Sequence, residues 1–336
     1  MKFKCRNCGQ EYNIKTKKYL CDCGGLFELK ANFSKLRTDL SLGEGNTPLL
    51  KRKITNKDVY LKVDYLQPTG SFKDRGAVLL IDQLLKNNID KIVEDSSGNA
   101  GAAIAAYAAA AKIECTIYLP ENTSKGKIKQ IESYGAQIKK ISGNRDQTAR
   151  VIKKDISKNN YYYASHVYNP LFTAGTASLA YEIYKEISVP DKMFIPVGNG
   201  TMLLGLYYAF KELGEFPQFI VAQSKSCSPI YNSFYEKDTC EKATNHSKEN
   251  IAEGIAITEP ARKKEIIKAI EESNGQVITV SEDEIKESFN LINNLGLYIE
   301  TTSAVAPAAF IKYNRNQNID DKEKVVIPLT GIGLKK

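Results

Sequence analysis

The feature that most limits the fold of this chain is its rhythm. Short β-branched or aromatic runs end in a few Gly, Pro, Asn or Ser residues, and a helix-length segment follows. The expected strands are Val59–Val63, Lys91–Glu94, Thr116–Leu119, Gln137–Ile141, Tyr161–Ala164, Met193–Pro196, Phe219–Ala222, Val277–Val280 and Val325–Leu329. Between them lie helical segments such as the Ala-rich run from Ala100 and Thr201–Leu213. In Glu282–Leu295 the residues Ile285, Phe289, Ile292 and Leu295 form one apolar stripe. A capping box from Ser281 to Glu284 opens this helix and Gly296 ends it. Strands that alternate with helices predict an α/β protein with doubly wound, mostly parallel sheets covered by helices on both faces.

The length of 336 residues is enough for two domains of this kind. At 42% hydrophobic and 26% charged residues the chain is neither disordered nor fibrous. Its most apolar stretch, Ala100–Ala111, is far shorter than the ~20 residues a bilayer span needs. The first residues, MKFKCRNCGQ, lack the apolar core of a secretion signal, so a cytoplasmic location and no membrane partner are expected. Of the net charge of +8, half lies within residues 1–30. The rest of the chain is only weakly basic, which argues against nucleic acid as a partner and suits a small anionic substrate equally well.

Cys5, Cys8, Cys21 and Cys23 crowd the N-terminus, while Cys115, Cys227 and Cys240 are scattered. Cys5-x2-Cys8-Gly9 and Cys21-x-Cys23-Gly24-Gly25 read as two knuckle-like turns, and four thiolates so spaced suit a tetrahedral structural Zn²⁺. The alternative is a ribbon that folds without metal.

Three turns join a strand or loop to a helix through small residues. They are Pro68-Thr69-Gly70-Ser71-Phe72-Lys73-Asp74, Ser96-Ser97-Gly98-Asn99-Ala100-Gly101 and Gly198-Asn199-Gly200-Thr201. A Gly-rich turn at a helix N-terminus presents unpaired N–H groups and the positive end of the helix dipole, and so binds phosphate or carboxylate. No Gly-Lys-Ser/Thr closes a Walker loop, and no Gly-x-Gly-x-x-Gly follows a strand. His166 and His246 belong to no nucleophile or metal motif, and Glu282, Asp283 and Glu284 read as a helix N-terminus, not as an acid–base pair.

In this order, and with the closing Thr330-Gly331-Ile332-Gly333-Leu334-Lys335, the turns resemble those of the fold type II pyridoxal phosphate enzymes: threonine synthases, serine/threonine dehydratases and cysteine synthases. The resemblance runs through residues 31–336 and is strongest to the threonine synthases, some of which carry a similar N-terminal ribbon. It implies a small ribbon at residues 1–30 and a smaller α/β domain at 46–177 with Lys73 and the Ser-Ser-Gly-Asn turn. A larger domain of 31–45 and 178–336 would hold the phosphate turn and Thr330. It implies further that Lys73 binds the cofactor covalently as a neutral amine and moves protons at the substrate. Phe72 would line the cofactor, and Asn99 would hydrogen-bond its ring oxygen. Val197, Gly198, Asn199, Gly200 and Thr201 would cradle its phosphate. Ser96, Ser97 and Gly98 would hold the substrate carboxylate, and Lys127, in Ser124-Lys125-Gly126-Lys127, would lie near a substrate phosphate. Thr330 would face the pyridine nitrogen. A hydroxyl there does not hold that nitrogen protonated, which makes a weaker electron sink suited to elimination and replacement. A homodimer is the family's usual state.

The reaction expected is elimination or replacement on an amino acid, with O-phospho-L-homoserine giving L-threonine and phosphate as the lead. Some segments depart from the threonine synthase pattern. Gly175-Thr176-Ala177-Ser178 stands where Gly-Gln-Lys-Thr is common, and Glu253-Gly254-Ile255-Ala256 is atypical. Gly-Asn-Gly-Thr is nearer the phosphate turn of β-replacing and dehydratase relatives. A β-eliminating or β-replacing enzyme acting on serine, threonine or an O-activated serine is therefore the alternative. A non-catalytic, nucleic-acid-binding ribbon protein on the same scaffold is the reading from another class.

Overall fold

The computed structural model describes residues 1–123, 125–143, 145–159, 161–235, 250–317 and 319–335. They form an α/β protein with two compact units. One holds Met1–Gly45, Gln67–Ser178 and the C-terminal Lys335; the other holds Asn46–Leu66 and Leu179–Leu334. Among the described residues no helix is long and apolar enough to cross a membrane.

The first unit is built on a four-stranded, wholly parallel sheet in the order Gln137–Ile141, Glu114–Pro120, Lys91–Glu94, Tyr162–Tyr163. Register pairs Ile92 with Cys115 on one side and with Tyr162 on the other. Its inner strands are buried along most of their length, as in a parallel sheet, while the edge strand Gln137–Ile141 keeps Gln137, Lys139 and Lys140 exposed. The helix Asn99–Ala110 is almost entirely Ala, Gly and Ile and is buried along nearly its whole length. The N-terminal strands Lys2–Cys5, Glu11–Asn13 and Phe27–Lys30 make a small antiparallel sheet. Phe3 and Phe27 of this ribbon join the same core as Leu171 and Phe172.

In the second unit six strands run in the order Gln276–Val280, Gln218–Ser224, Lys192–Pro196, Val325–Pro328, Lys57–Lys62, Leu49–Ile54. All neighbours are parallel except the last pair, a hairpin whose register sets Ile54 opposite Lys57. The helix Glu282–Asn294 has its full capping box, with Ser281 N donating to Glu284 Oε2 at 2.6 Å and Glu284 N to Ser281 Oγ at 3.2 Å. Gly296 then stops it at φ +81°.

The two units divide the chain differently from the expected domains. Residues 49–62 form the hairpin that completes the edge of the six-stranded sheet, with Leu61 in register with Ile327. Residues 31–45 stay with the first unit, where buried Asp82 accepts from Asp39 N and Leu40 N and Tyr107 donates to Glu44.

The helix Lys73–Lys86 crosses the short helix Pro170–Thr176 backbone to backbone. A Cβ on Gly175 would lie 2.1 Å from Arg75 O, and one on Gly76 would lie 2.6 Å from Phe172 O. Neither carbonyl can move without displacing its helix, so Gly175→Ala should cost about 1–3 kcal/mol of stability in a chemical denaturation series. Gly98→Ala, whose Cβ would meet nothing within 4 Å, should stay within ~0.5 kcal/mol of wild type. Equal losses in the two variants would contradict the close crossing.

Candidate active site

In the first unit the turn Pro68–Ser71 doubles back at Gly70 (φ +81°) and delivers Lys73 as the first residue of its helix, with no side chain capping that end. Asp74, fully buried, accepts from Thr69 N at 2.7 Å and Thr69 Oγ1 at 2.5 Å and so clamps the turn to the helix. The Nζ of Lys73 lies 4.9 Å from the ring centroid of Phe72 and 5.8 Å from that of Phe172. Apolar rings around an amine displace water from it without supplying a counter-ion, apart from the cation–π attraction itself. Two residues earlier in the chain, Ser71 Oγ is fully buried and makes no hydrogen bond.

The strand Lys91–Glu94 runs into Asp95-Ser96-Ser97-Gly98, and Asn99 opens the next helix, again without a side-chain cap. Ser96 Oγ accepts from Gly98 N at 3.3 Å, which holds the turn tight. The Oδ1 of Asn99 accepts from Lys335 Nζ at 2.9 Å. The amide oxygen is thereby committed, and its NH2 side is the one that can donate to an acceptor. Lys127 lies in the helix Lys125–Ser133, but its side chain, like Ser124 and Asn144, is outside the described residues.

Just before this turn sits an acidic group. Glu94 is wholly buried; its Oε1 is 2.6 Å from His166 Nδ1, and its Oε2 has no partner. Burial pushes its carboxyl up to about 8, against the opposing pull of Lys73 and its other neighbours. Asp95, which accepts from Tyr163 OH at 2.7 Å, is pushed up to about 6 by burial and then by Glu94.

In the second unit Lys192–Pro196 leads into Val197-Gly198-Asn199-Gly200. Val197 is pinned on both sides of its peptide, its N donating to Ala222 O and its O accepting from Gln223 Nε2, each at 3.0 Å. Gly200 has φ +77°, where a side chain is strained, and its Cβ would lie 2.5 Å from Ile266. A Cβ on Gly198 would meet Ile255 Cα at 2.9 Å. The helix Thr201–Leu213 follows with no side-chain cap on its first turn. Thr330, after the strand Val325–Pro328, is buried beside Ser303, with the two hydroxyl oxygens 2.9 Å apart.

The four N-terminal thiols converge. Cys5 and Cys23 Sγ are 3.5 Å apart, Cys8 and Cys21 Sγ 3.6 Å, and all four lie within 4.8 Å of one another. Four sulfurs around one tetrahedral Zn²⁺ would be about 3.8 Å apart, given Zn–S bonds of ~2.3 Å. The Tyr12 hydroxyl, 3.2 Å from Cys21 Sγ, pulls that thiol down to about 6.

The first unit thus carries a lysine among aromatic rings and the Ser96–Asn99 turn, and the second carries the Val197–Thr201 turn and a buried threonine after a strand. A family model for pyridoxal-phosphate dependent enzymes matches residues 40–331, and the chain belongs to that family as a fold type II, pyridoxal-phosphate dependent lyase. Threonine synthase of Methanocaldococcus jannaschii is 30% identical over 375 aligned positions, covering 99% of this chain and 92% of that one. Threonine synthase of Halalkalibacterium halodurans is 32% identical over 308, covering 88% and 84%. Among solved structures, serine racemase from Dictyostelium discoideum is 28% identical with a TM-score of 0.72, covering 85% of this chain and 91% of that one. Threonine deaminase from Solanum lycopersicum, 21% identical, shares the fold at a TM-score of 0.75 over 85% and 79% of the two chains.

The residues present fit pyridoxal phosphate. Ser71 Oγ, two residues before Lys73 in the chain, is a buried hydroxyl without a hydrogen-bond partner, the kind of orphaned group that a bound cofactor satisfies. Phe72, Lys73, Ser96, Ser97, Gly98 and Asn99 belong to the first unit; Val197–Thr201 and Thr330 belong to the second. Sequence reading missed Glu94 with His166, Gln223, Ser303 and Lys335. Only the Glu94-Asp95 pair carried a local signal, two acids at the end of an otherwise apolar strand.

The buried Glu94 makes stability fall as pH rises. Its carboxyl titrates near 8 in the folded chain and at 4.5 when unperturbed, so between these values the folded protein keeps a proton that the unfolded chain has lost. Chemical denaturation at about pH 5 and at about pH 8.5 should show a clear loss of stability in wild type and a smaller one in Glu94→Gln, the remainder coming from Asp95. An unchanged loss in Glu94→Gln would mean that Glu94 is ionised throughout.

Proposed function

We propose that this chain catalyses elimination and replacement on an O-phosphorylated amino acid, with O-phospho-L-homoserine converted to L-threonine and phosphate. The observation that carries the reading is the match to threonine synthases at 30% and 32% identity across most of both chains. Pyridoxal phosphate, when bound, supplies an electron sink for negative charge developing at the substrate carbons. The chain's residues do the rest. Lys73 binds the cofactor and, as the free amine, takes the α-proton and returns protons to the substrate. Ser96, Ser97 and Gly98 hold the substrate carboxylate at a helix N-terminus, and Asn99, oriented by Lys335, donates to the cofactor's ring oxygen. The cofactor phosphate rests on Val197–Thr201, where Gln223 fixes the turn. Thr330 meets the ring nitrogen, Phe72 lines the site, and Lys127 is the residue assigned to the substrate phosphate.

The second reading is a dehydratase or β-replacing activity on serine, threonine or an O-activated serine. It is favoured by the Gly-Asn-Gly-Thr turn and by the serine racemase likeness. Product analysis separates the two. O-phospho-L-homoserine should yield equal amounts of threonine and phosphate, while serine and threonine should yield little 2-oxo acid. Turnover of serine or threonine to 2-oxo acid, with phosphohomoserine untouched, would overturn the first reading in favour of the second.

The ribbon is proposed to hold one structural Zn²⁺ on Cys5, Cys8, Cys21 and Cys23. Protein purified without chelator under reducing conditions should carry one zinc per chain by elemental analysis, and Cys8→Ser should lower this while leaving cofactor loading intact. Metal-free wild-type protein with reduced thiols would refute the site.

A further inference from the structure

Around Ser303 the geometry points to a positioning residue: we infer that Ser303 fixes the Thr330 hydroxyl as a hydrogen-bond donor to the ring nitrogen, so that the nitrogen is held unprotonated. The inference rests on the placing of Thr330 opposite that nitrogen.

The argument is a count of lone pairs. Ser303 lies in the turn Thr301–Ala304 and is fully buried. Its Oγ accepts from Thr330 N at 2.9 Å and from Gly331 N at 2.8 Å. A hydroxyl oxygen has two lone pairs and one hydrogen, so these two N–H groups fill its capacity to accept. Its hydrogen then goes to Thr330 Oγ1 at 2.9 Å or to Gly331 O at 3.2 Å. The carbonyl of Gly331 already accepts from Glu300 N at 2.9 Å, and Thr330 Oγ1 is the nearer acceptor. In either case Ser303 cannot accept a third hydrogen. The hydrogen of the Thr330 hydroxyl is therefore directed away from Ser303, toward whatever acceptor faces it.

A donor presented in this way selects the state of its partner. An unprotonated pyridine nitrogen accepts the hydrogen. A protonated one would set two hydrogens against each other or leave the threonine's hydrogen buried and unmade, which is costly. A hydroxyl alone can serve as donor or acceptor; the two backbone N–H groups on Ser303 remove that choice. Without the serine oxygen, Thr330 becomes free to turn and accept from a protonated ring.

The test uses the full chain loaded with ring-15N-labelled pyridoxal phosphate and reads the nitrogen resonance and the cofactor dissociation constant. Wild type should show the resonance of an unprotonated ring. Ser303→Ala should move it toward the protonated position and weaken cofactor binding about two- to tenfold. Thr330→Ala should weaken binding by a similar factor, and the double variant should bind no more weakly than Thr330→Ala, because the serine acts through the threonine. Retained loading and an unchanged circular dichroism spectrum in Ser303→Ala separate this from misfolding; if that variant fails to load, Ser303→Cys, which keeps a weak donor and acceptor, takes its place. A wild-type resonance in Ser303→Ala with a moved one in Thr330→Ala overturns the inference alone, as does a double variant whose losses multiply. A wild-type resonance and affinity in Thr330→Ala overturns the placing of Thr330 itself, and the inference with it.

Discussion

The site depends on helix starts that their own side chains do not cap. Asn99–Ala110 and Thr201–Leu213 each begin at a glycine N-cap, which offers no side chain to their first turn. Elsewhere the chain does cap: Ser281 closes a full box, and Asn169 accepts from Leu171 N. An uncapped start leaves backbone donors and the positive end of the dipole facing outward, which favours an anion there. Pyridoxal phosphate and an amino acid bring a phosphate and a carboxylate. Gly200 has its own reason, since its φ of +77° and the closeness of Ile266 leave no place for a side chain.

Close backbone packing holds the lysine helix in place. Gly76 and Gly175 let the Lys73 helix touch its neighbour, which puts Phe172 within reach of the lysine. Gln223 anchors the turn after Val197 by spending both ends of its buried side chain on backbone groups, and Asp74 anchors the lysine turn through the backbone N and the hydroxyl of Thr69. Such fully satisfied polar anchors in a core fix one arrangement more firmly than apolar contact alone.

Much of this was legible in the sequence. Strand and helix periods located both parallel sheets, the capping box at Ser281 and the turns that carry the site residues, because these are local properties. The strand Leu49–Ile54, which pairs with the expected strand at Lys57–Lys62, escaped notice because it lies at a sheet edge, where Lys51, Arg52 and Lys53 blur the alternation. The polar partners escaped for another reason. Ser303 meets Thr330, His166 meets Glu94 and Lys335 meets Asn99 only after long stretches of chain have folded between them. Nothing in the local pattern of a lone serine, histidine or C-terminal lysine marks it as such a partner.

The central claim is that Lys73, at the start of its helix and among aromatic rings, is the residue that binds the cofactor. Borohydride reduction of the pyridoxal phosphate-loaded protein, followed by proteolysis and mass spectrometry, tests it directly. The account predicts one phosphopyridoxyl group, on Lys73 and on no other lysine. A group fixed to a different lysine, or none fixed to a loaded protein, would contradict it.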